Sequence, residues 1–274
     1  MGEKLILIDG HSILNRAFYG VPDLTNAEGI HTNAMYGFLN ILFKFLDEEK
    51  PDYITVAFDL SAPTFRHKAF DGYKGTRKPM QPELKQQVPL MKELLKAMNI
   101  TVVEQEGYEA DDILGTIAKE SAAKGIDVSI VSGDRDLLQL ADEHIKIRIP
   151  KTKKGVTEVE DYYPSDVFNL YGVNREKVME TYGIEPKQLI EVKGLQGDTS
   201  DNIPGAPGIG PKTASAIIRE YHSLDNVFEH LCELKPPKAK TSITENIEQI
   251  KMSRFLSEIK IDVPIDYKVE DSKA

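Results

Sequence analysis

Five short runs of aliphatic and β-branched residues alternate with segments of helical periodicity along the first part of the chain. The runs are Leu5–Ile8, Tyr53–Phe58, Thr101–Glu104, Asp127–Val131 and Ile145–Ile149. Helical patterns cover Ser12–Tyr19, Thr32–Glu49, Pro82–Met98 and Glu109–Lys124. Strands that alternate with helices in this order predict an α/β fold with a mostly parallel central sheet, flanked by helices on both faces.

The strand signal nearly disappears in the second part of the chain. From Pro164 onward, short helical segments broken by Gly and Pro dominate. We therefore expect an α/β core at 1–163, a helical subdomain at 164–266 and a loose polar tail at 267–274. A chain of 274 residues is long enough for two such units.

Composition excludes several classes of protein. The single cysteine, Cys232, rules out an internal disulfide and a zinc site built from cysteines. No apolar run approaches the roughly 20 residues that a membrane-spanning helix needs. The N-terminus has no signal-peptide pattern. We expect a cytoplasmic protein.

The net charge of −10 argues against a nucleic-acid partner only if the acids are spread evenly, because bound cations cancel acids that converge on one site.

Acidic residues follow four of the predicted strands. They are Asp9, Asp59, the group Glu109, Asp111 and Asp112, and the pair Asp134 and Asp136. The carboxyl ends of parallel strands meet at one edge of a sheet, where ligands bind. A single acid of this kind is usually a helix cap or a turn residue, but seven carboxylates at one edge repel each other unless a cation neutralises them. Mg²⁺ prefers oxygen ligands, and two ions about 4 Å apart can clamp a phosphodiester.

The helical part contains a second acidic cluster followed by a glycine loop. Asp198 and Asp201 are three residues apart in Gly197–Asn202, which by itself is more typical of a surface turn than of a metal site. In the next segment Gly208 and Gly210 precede Pro211 and Lys212. Glycines allow close backbone approach, and a new helix offers free N–H groups to a phosphate. This pattern resembles the hairpin of the helix-hairpin-helix class, which grips a DNA backbone without reading bases.

A basic segment at about 64–88 lies between the second strand and the helix before the third. Its cations are Arg66, Lys68, Lys74, Arg77, Lys78 and Lys85. Tyr73 lies among them, and stacking combined with phosphate contacts is how single-stranded nucleic acid is held. The sequence therefore predicts a mobile basic arch above the acidic pocket; a solvated loop is the alternative.

These motifs, taken together, resemble the 5′-nuclease family with its PIN-like core, most closely the N-terminal 5′→3′ exonuclease domain of bacterial DNA polymerase I. The resemblance extends from Leu5 to about Asp266. The motifs that carry it, in order, are Leu7–His11, Val56–Asp59, Phe65–His67, Tyr73–Arg77, Gly107–Asp112, Ser132–Asp136, Gly197–Asn202 and Gly208–Gly210.

The resemblance implies a role for each matching residue. The implied metal ligands are Asp9, Asp59, Glu109, Asp111, Asp112, Asp134, Asp136, Asp198 and Asp201. The implied DNA contacts are Arg16, Tyr73, Lys74, Arg77, Gly208, Gly210 and Lys212. Lys74 matches the lysine that contacts the scissile phosphate, so it counts as catalytic together with Asp134 and Asp136. The implied cofactor is a pair of Mg²⁺ ions, with Mn²⁺ able to substitute.

The expected activity is 5′→3′ exonuclease and 5′-flap endonuclease cleavage of DNA, leaving 5′-phosphate ends, for primer removal, replication and repair. The expected partners are DNA with 5′ ends, nicks or flaps, and RNA–DNA primers. We expect a monomer without polymerase activity of its own, either free-standing or part of a larger DNA polymerase I chain. Two alternatives stay open: a non-catalytic DNA-structure-binding protein, and an RNase of related fold.

Overall fold

The structure, a computed structural model, describes residues 2–153, 156–160 and 175–274. The strands are β1 (Lys4–Asp9), β2 (Tyr53–Ala57), β3 (Thr101–Val103), β4 (Asp127–Val131), β5 (Ile145–Lys153) and β6 (Val156–Glu160). The helices are α1 (Gly10–Gly20), α2 (Asn33–Glu49), α3 (Phe65–Ala69), α4 (Pro82–Lys85), α5 (Gln87–Ala97), α6 (Ala110–Ala123), α7 (Arg175–Tyr182), α8 (Gln188–Gln196), α9 (Pro211–Tyr221), α10 (Leu224–Glu229), α11 (Pro237–Glu245) and α12 (Ile247–Ser257). Two short 3₁₀ helices cover Asp136–Leu140 and Val269–Ser272.

The central sheet confirms the predicted α/β fold. Its strand order is β3-β2-β1-β4-β5-β6, and the first five strands pair in parallel. The sixth, β6, pairs antiparallel with β5 and was not predicted. Its sequence, Val-Thr-Glu-Val-Glu, is short and polar. Such an edge strand forms by hydrogen bonding to its neighbour, so it leaves little apolar signal in a sequence.

Helices cover both faces of the sheet, as the apolar strands require. Along β1, Leu5 and Leu7 belong to one hydrophobic cluster, whereas Ile6 and Ile8 belong to another on the opposite face. This alternation follows from the two-residue period of a strand. The helix α6 packs into the first cluster and α2 into the second. Both faces of β1 are therefore buried, which explains why its sequence is a continuous apolar run.

The second part of the described chain is helical, as predicted. Helices α8 to α12 share a third hydrophobic cluster that includes Leu195, Ile218, Leu224 and Ile250. The helices α8 and α9 flank the loop that carries the glycine motif. The predicted boundary at 163/164 lies outside the described residues. Within the described ranges, none of the helices combines the length and the apolar character needed to cross a bilayer.

The prediction of a loose tail at 267–274 is wrong. Val269 is 2% exposed and belongs to the cluster under the sheet. The hydroxyls of Tyr267 and Thr55 are 2.9 Å apart, and the backbone N–H of Ala274 donates to the carbonyl of Asp52. The side chains of Tyr267 and Val269 are enough to fix this otherwise polar segment against the sheet. Because its other residues are mostly polar, the average hydropathy of the segment does not reveal this packing.

Candidate functional site

The site lies where the sheet changes its direction of winding. The chain moves from β1 to β2 and β3 on one side, and then crosses to β4 on the other side of β1. A crevice opens at such a switch point, beyond the carboxyl ends of the strands. Asp9 lies there at the end of β1. Its carboxylate accepts hydrogen bonds from the Ser12 N–H (3.0 Å) and from the Ser132 hydroxyl (2.8 Å), which follows β4.

The crevice is a cleft of about 770 Å³ that brings half of the predicted residues together. Its acids are Asp9, Asp59, Glu109, Asp111 and Asp134, and its predicted cations are Arg16, Lys74 and Arg77. Asp59 is oriented by the backbone N–H of Ala110, which donates to its carboxylate at 2.7 Å. The cleft thus brings three basic side chains and five carboxylates together.

The acids of this cleft repel each other. Burial, Asp59 and Asp134 raise the pKa of Asp9 to about 7, although hydrogen bonds from Ser12 and Ser132 oppose the shift. Burial and the nearby charges of Asp134, Asp9 and Asp59 raise the pKa of Asp111 well above its ordinary value. Carboxylates whose charge is destabilised in this way are a donor set that a hard divalent cation would stabilise. The residues therefore fit the metal that the sequence predicts.

Asp136 and Asp198 line an adjoining cavity of about 330 Å³, which shares Asp134 with the main cleft. Lys193 of α8 lies between these two acids. Its ammonium donates to Asp136 Oδ1 and, at 2.6 Å, to Asp198 Oδ2. Burial and the charge of Asp134 raise the pKa of Asp136 to about 6, even with Lys193 beside it.

Two more predicted ligands bind cations from the 64–88 segment. Lys74 Nζ is 2.8 Å from Glu109 Oε1, and Arg77 donates to Asp201. Across the described ranges, no three acidic, histidine or cysteine side chains are arranged to hold one ion directly. Lys74, Arg77 and Lys193 instead neutralise four of the nine predicted ligands.

Asp112 does not join the other acids, which contradicts its prediction as a metal ligand. Its side chain is fully buried and forms a two-pronged ion pair with Arg66, at 2.7 and 2.8 Å. It also accepts from the backbone N–H groups of Glu109 and Lys260. Both carboxylate oxygens are occupied, so Asp112 fixes the start of α6 and, through it, Glu109.

The structure also contradicts the prediction that Tyr73 stacks on DNA. Its ring is 4% exposed and packs with Ile203 and Leu256. Its hydroxyl donates to Glu109 at 3.0 Å. In a sequence, an aromatic residue among cations suggests a surface on which bases stack. The hydroxyl of Tyr73 instead reaches a buried carboxylate, which favours burial of the ring in the protein interior. In the described structure, 64–88 contains α3 and α4 and lies against the acids.

The glycine hairpin, taken here as residues 197–210, contains glycines of two kinds. A Cβ at Gly197 or Gly205 would meet backbone atoms at 2.4 and 2.3 Å, so internal packing requires glycine there. At Gly208 and Gly210 a Cβ would meet nothing within 4 Å. Gly208 has a φ of +77°, which favours glycine, whereas Gly210 has an ordinary φ of −92°. Gly210 is the N-cap residue of α9, where glycine is favoured over alanine, and the open space beside it leaves room for an external partner. Lys212 follows it on the surface in the first turn of α9.

Sequence reasoning missed Lys193, Arg66 and Gln196 as members of the site. Lys193 and Gln196 are ordinary polar residues of a helix, and no local pattern marks them. Arg66 stood in a quoted motif, but its partner Asp112 is 46 positions away. Two residues that line these cavities, Arg16 and Gln196, each carry a buried polar atom, Nε and Oε1, without a hydrogen-bond partner among the described residues. Arg16 was predicted to face DNA, and its side chain lines the cleft.

Two family models match the chain end to end. Residues 4–183 match the model described as 5′-3′ exonuclease, N-terminal resolvase-like domain. Residues 184–274 match the model described as 5′-3′ exonuclease, C-terminal SAM fold.

Similar curated proteins are bacterial DNA polymerases I. Those of Bacillus caldotenax and Bacillus subtilis (strain 168) are 46% and 45% identical over 99% and 97% of the chain. The thermostable enzyme of Thermus thermophilus is 37% identical over 96%. The chain spans 29% of the length of each of these relatives.

Solved structures of the same fold include two crystal structures of the T5 D15 protein. The structure co-crystallised with metal ions has a TM-score of 0.74 at 19% identity, covering 94% of this chain and 90% of that one. A complex of D15 flap endonuclease with DNA and metal ions has the same TM-score at 18% identity, covering 94% and 89%. The catalytic core of Rad2 with a DNA substrate has a TM-score of 0.56 at 17% identity, covering 98% and 84%.

Proposed function

The chain belongs to the 5′-3′ exonuclease family, and from that premise we propose that it is a metal-dependent 5′→3′ exonuclease and 5′-flap endonuclease. It hydrolyses DNA phosphodiester bonds to leave a 5′-phosphate and a 3′-hydroxyl. One observation carries the proposal. At the switch point of the sheet, mutually repelling carboxylates and the cations Lys74, Arg77 and Arg16 line one cleft. That combination fits a phosphate bound together with divalent ions.

Two Mg²⁺ ions, for which Mn²⁺ can substitute, are the proposed cofactor. We assign Asp9, Asp59, Asp111 and Asp134 to one ion, and Asp136, Asp198 and Asp201 to the other, with Glu109 between the groups. When bound, such ions supply charge stabilisation and lower the pKa of the attacking water. Asp112 is left out of the set, because Arg66 occupies it.

The basic side chains of the 64–88 segment act on the scissile phosphate. Lys74 Nζ, held at 2.8 Å from Glu109, lies beside the proposed ligands and can donate to a non-bridging phosphate oxygen. A cation placed there stabilises the charge that grows on the phosphate in the transition state. Arg77 and Arg16 extend the same positive rim.

The helical subdomain at 164–266 holds the duplex, and the core at 1–163 cleaves it. In this division Gly208 and Gly210 allow a DNA strand to approach the hairpin backbone, and the first turn of α9 offers N–H groups and Lys212 to a phosphate. The open space at Gly210 supports this role. Such contacts position DNA and carry no base specificity.

The relatives are DNA polymerases I, so the proposed task is removal of RNA primers and damaged strands ahead of synthesis. The proposed substrates are 5′ ends, nicks and flaps of DNA, with RNA–DNA primers among them. We place the protein in the cytoplasm, as a monomer.

Cleavage of a labelled 5′-flap DNA tests the proposal. We expect a labelled fragment with Mg²⁺ or Mn²⁺ and none with a chelator. An RNA hairpin supplied in parallel should be cut far more slowly. Binding to the flap without cleavage in Mg²⁺ would identify a DNA-structure-binding protein instead, and preference for the RNA hairpin would identify an RNase.

A further inference from the structure

Lys193 occupies the position that the proposed function gives to a divalent ion. It extends from α8 and bridges Asp136, which follows β4, and Asp198, which follows α8. Its side chain is 16% exposed, and the two carboxylates are 21% and 17% exposed. The ammonium of Lys193 therefore places a single positive charge between the two half-buried carboxylates that are expected to bind a divalent ion.

The cavity beside Lys193 can receive its ammonium after displacement. This space of about 330 Å³ is lined by Gln196, Ser200 and, from α9, Pro211 and Ser215. Gln196 lies one helical turn after Lys193 and therefore on the same face of α8. Its buried Oε1 is an acceptor without a partner in the described part of the chain. The cavity thus joins the second group of acids to the helix that begins at the glycine hairpin.

We propose that Lys193 is the resident cation of the second metal site, and that a divalent ion displaces its ammonium into this cavity, where it binds Gln196 Oε1 and a DNA phosphate. The inference rests on the proposed function and adds a residue and a coupling to it. Metal and DNA then bind cooperatively, because the ion frees a cation for the phosphate. Reciprocity is required by thermodynamic linkage, so DNA must strengthen binding of the second ion by the same factor.

Mn²⁺ binding without DNA tests the displacement. The variants are Lys193→Met, which keeps the length of the side chain, and Lys193→Gln, which keeps an N–H donor but no charge. Both should bind the second Mn²⁺ about tenfold more tightly than the wild type, since a competing charge is gone. Lys187→Met, at the exposed start of the same helix, is the matched control and should match the wild type.

Unchanged or weaker binding of the second ion by both variants would overturn the inference and leave Lys193 as a permanent structural bridge. If the wild type binds no Mn²⁺ at all, the proposed function fails as well. Two bound ions in the wild type without tightening in the variants would overturn the inference alone. The two failures are therefore distinguishable.

DNA affinity provides a second readout that a structural bridge would not move. Fluorescence anisotropy is measured with a flap DNA in chelator, and again with Ca²⁺ in place of Mg²⁺. The affinity of Lys193→Gln should equal that of the wild type in chelator and be several-fold weaker with Ca²⁺. A loss of equal size in both conditions would contradict the release of Lys193 by metal.

Discussion

Glu109 receives three side-chain donors from the 64–88 segment. Arg66 Nη1 lies at 3.4 Å, the Tyr73 hydroxyl at 3.0 Å and Lys74 Nζ at 2.8 Å. Lys74 is the one of the three that the proposed reaction needs at the phosphate. Arg66 and Tyr73 are buried and remain with Glu109, so they act as positioning residues that hold its carboxylate towards the cleft.

The change Tyr73→Phe isolates the hydroxyl. The ring stays in its apolar cluster, and the lost hydrogen bond to a charged group costs about 1.5–3 kcal/mol at most. We expect single-turnover cleavage to slow by roughly tenfold, with flap affinity nearly unchanged. If the phenylalanine variant cuts at the wild-type rate, the hydroxyl does not position Glu109.

Asp111→Asn tests the repulsion among the cleft acids. An acid whose pKa is raised in the folded state stabilises the fold at low pH and loses that contribution as pH rises through its folded pKa. Removing the charge should therefore raise the free energy of unfolding of the metal-free protein at about pH 8 by on the order of 1 kcal/mol, and hardly change it at about pH 3, below the ordinary pKa of an aspartate. Urea unfolding in chelator measures this. The exposed Asp262→Asn is the control, and an equal effect at both pH values would contradict the argument.

Single residues also show where prediction from the sequence fails. Asp111 and Asp112 are neighbours at the start of one helix, and no local feature separates them. Their different roles depend on Arg66, which reaches Asp112 from a remote segment. The roles of Lys193 and Tyr73 likewise depend on which distant carboxylate each side chain meets. A motif places a residue near a site, but tertiary contacts determine what it does there.

At the level of elements, the glycine hairpin separates structural from functional glycines. Gly210→Ala introduces a Cβ into open space at an ordinary φ, so only the weaker N-cap should lower the melting temperature, by about 3 °C at most. Flap affinity should fall several-fold, because the added methyl group keeps the DNA backbone away from the hairpin. Anisotropy titration and thermal unfolding measure the two effects. Unchanged affinity would remove the hairpin from the DNA interface.

Gly197→Ala is the opposite case within the same hairpin. The residue has a φ of +72°, and a Cβ would lie 2.4 Å from the carbonyl oxygen of Ile203. We expect strong destabilisation, by several kcal/mol, from backbone strain and overlap. Thermal unfolding without DNA checks this, and a melting temperature equal to that of the wild type would contradict the assignment.

The helices and strands themselves could be predicted from the sequence wherever burial produces a periodic pattern of apolar residues. The strand β1 is buried on both faces and reads as an unbroken apolar run, and α6 shows a helical period closed by Gly125. The strand β6 leaves no such mark, since an edge strand depends on its partner. The grouping of carboxylates at one edge of the sheet was predictable, because the carboxyl ends of parallel strands all lie at the same edge.

At the scale of the whole molecule, residues 267–274 complete the packing of the hydrophobic core. Deleting 267–274 exposes the pocket of Val269 and removes the contact between Tyr267 and Thr55. Burial of one such aliphatic side chain contributes about 1.5–3 kcal/mol. The truncated protein should unfold at lower urea concentration but still cut flap DNA at low temperature, because the tail does not line the cleft. Unaltered stability would contradict the packing of the tail.

The overall charge is compatible with DNA binding because of where the charges lie. The carboxylates of the site contribute to the net −10, while Lys74, Arg77 and Lys193 are held on four of them. Divalent ions would reverse the local sign and release these cations towards a phosphate. In the proposed function, metal, basic segment and hairpin thereby act on one substrate.

Flap cleavage by Asp134→Asn tests the central claim most directly, because Asp134 lines both cavities of the site. We predict a rate in Mg²⁺ lower by roughly a thousandfold or more, with the wild-type melting temperature largely retained. Asp142→Asn, remote from the cleft, should cut like the wild type. Undiminished cleavage by Asp134→Asn would contradict the account.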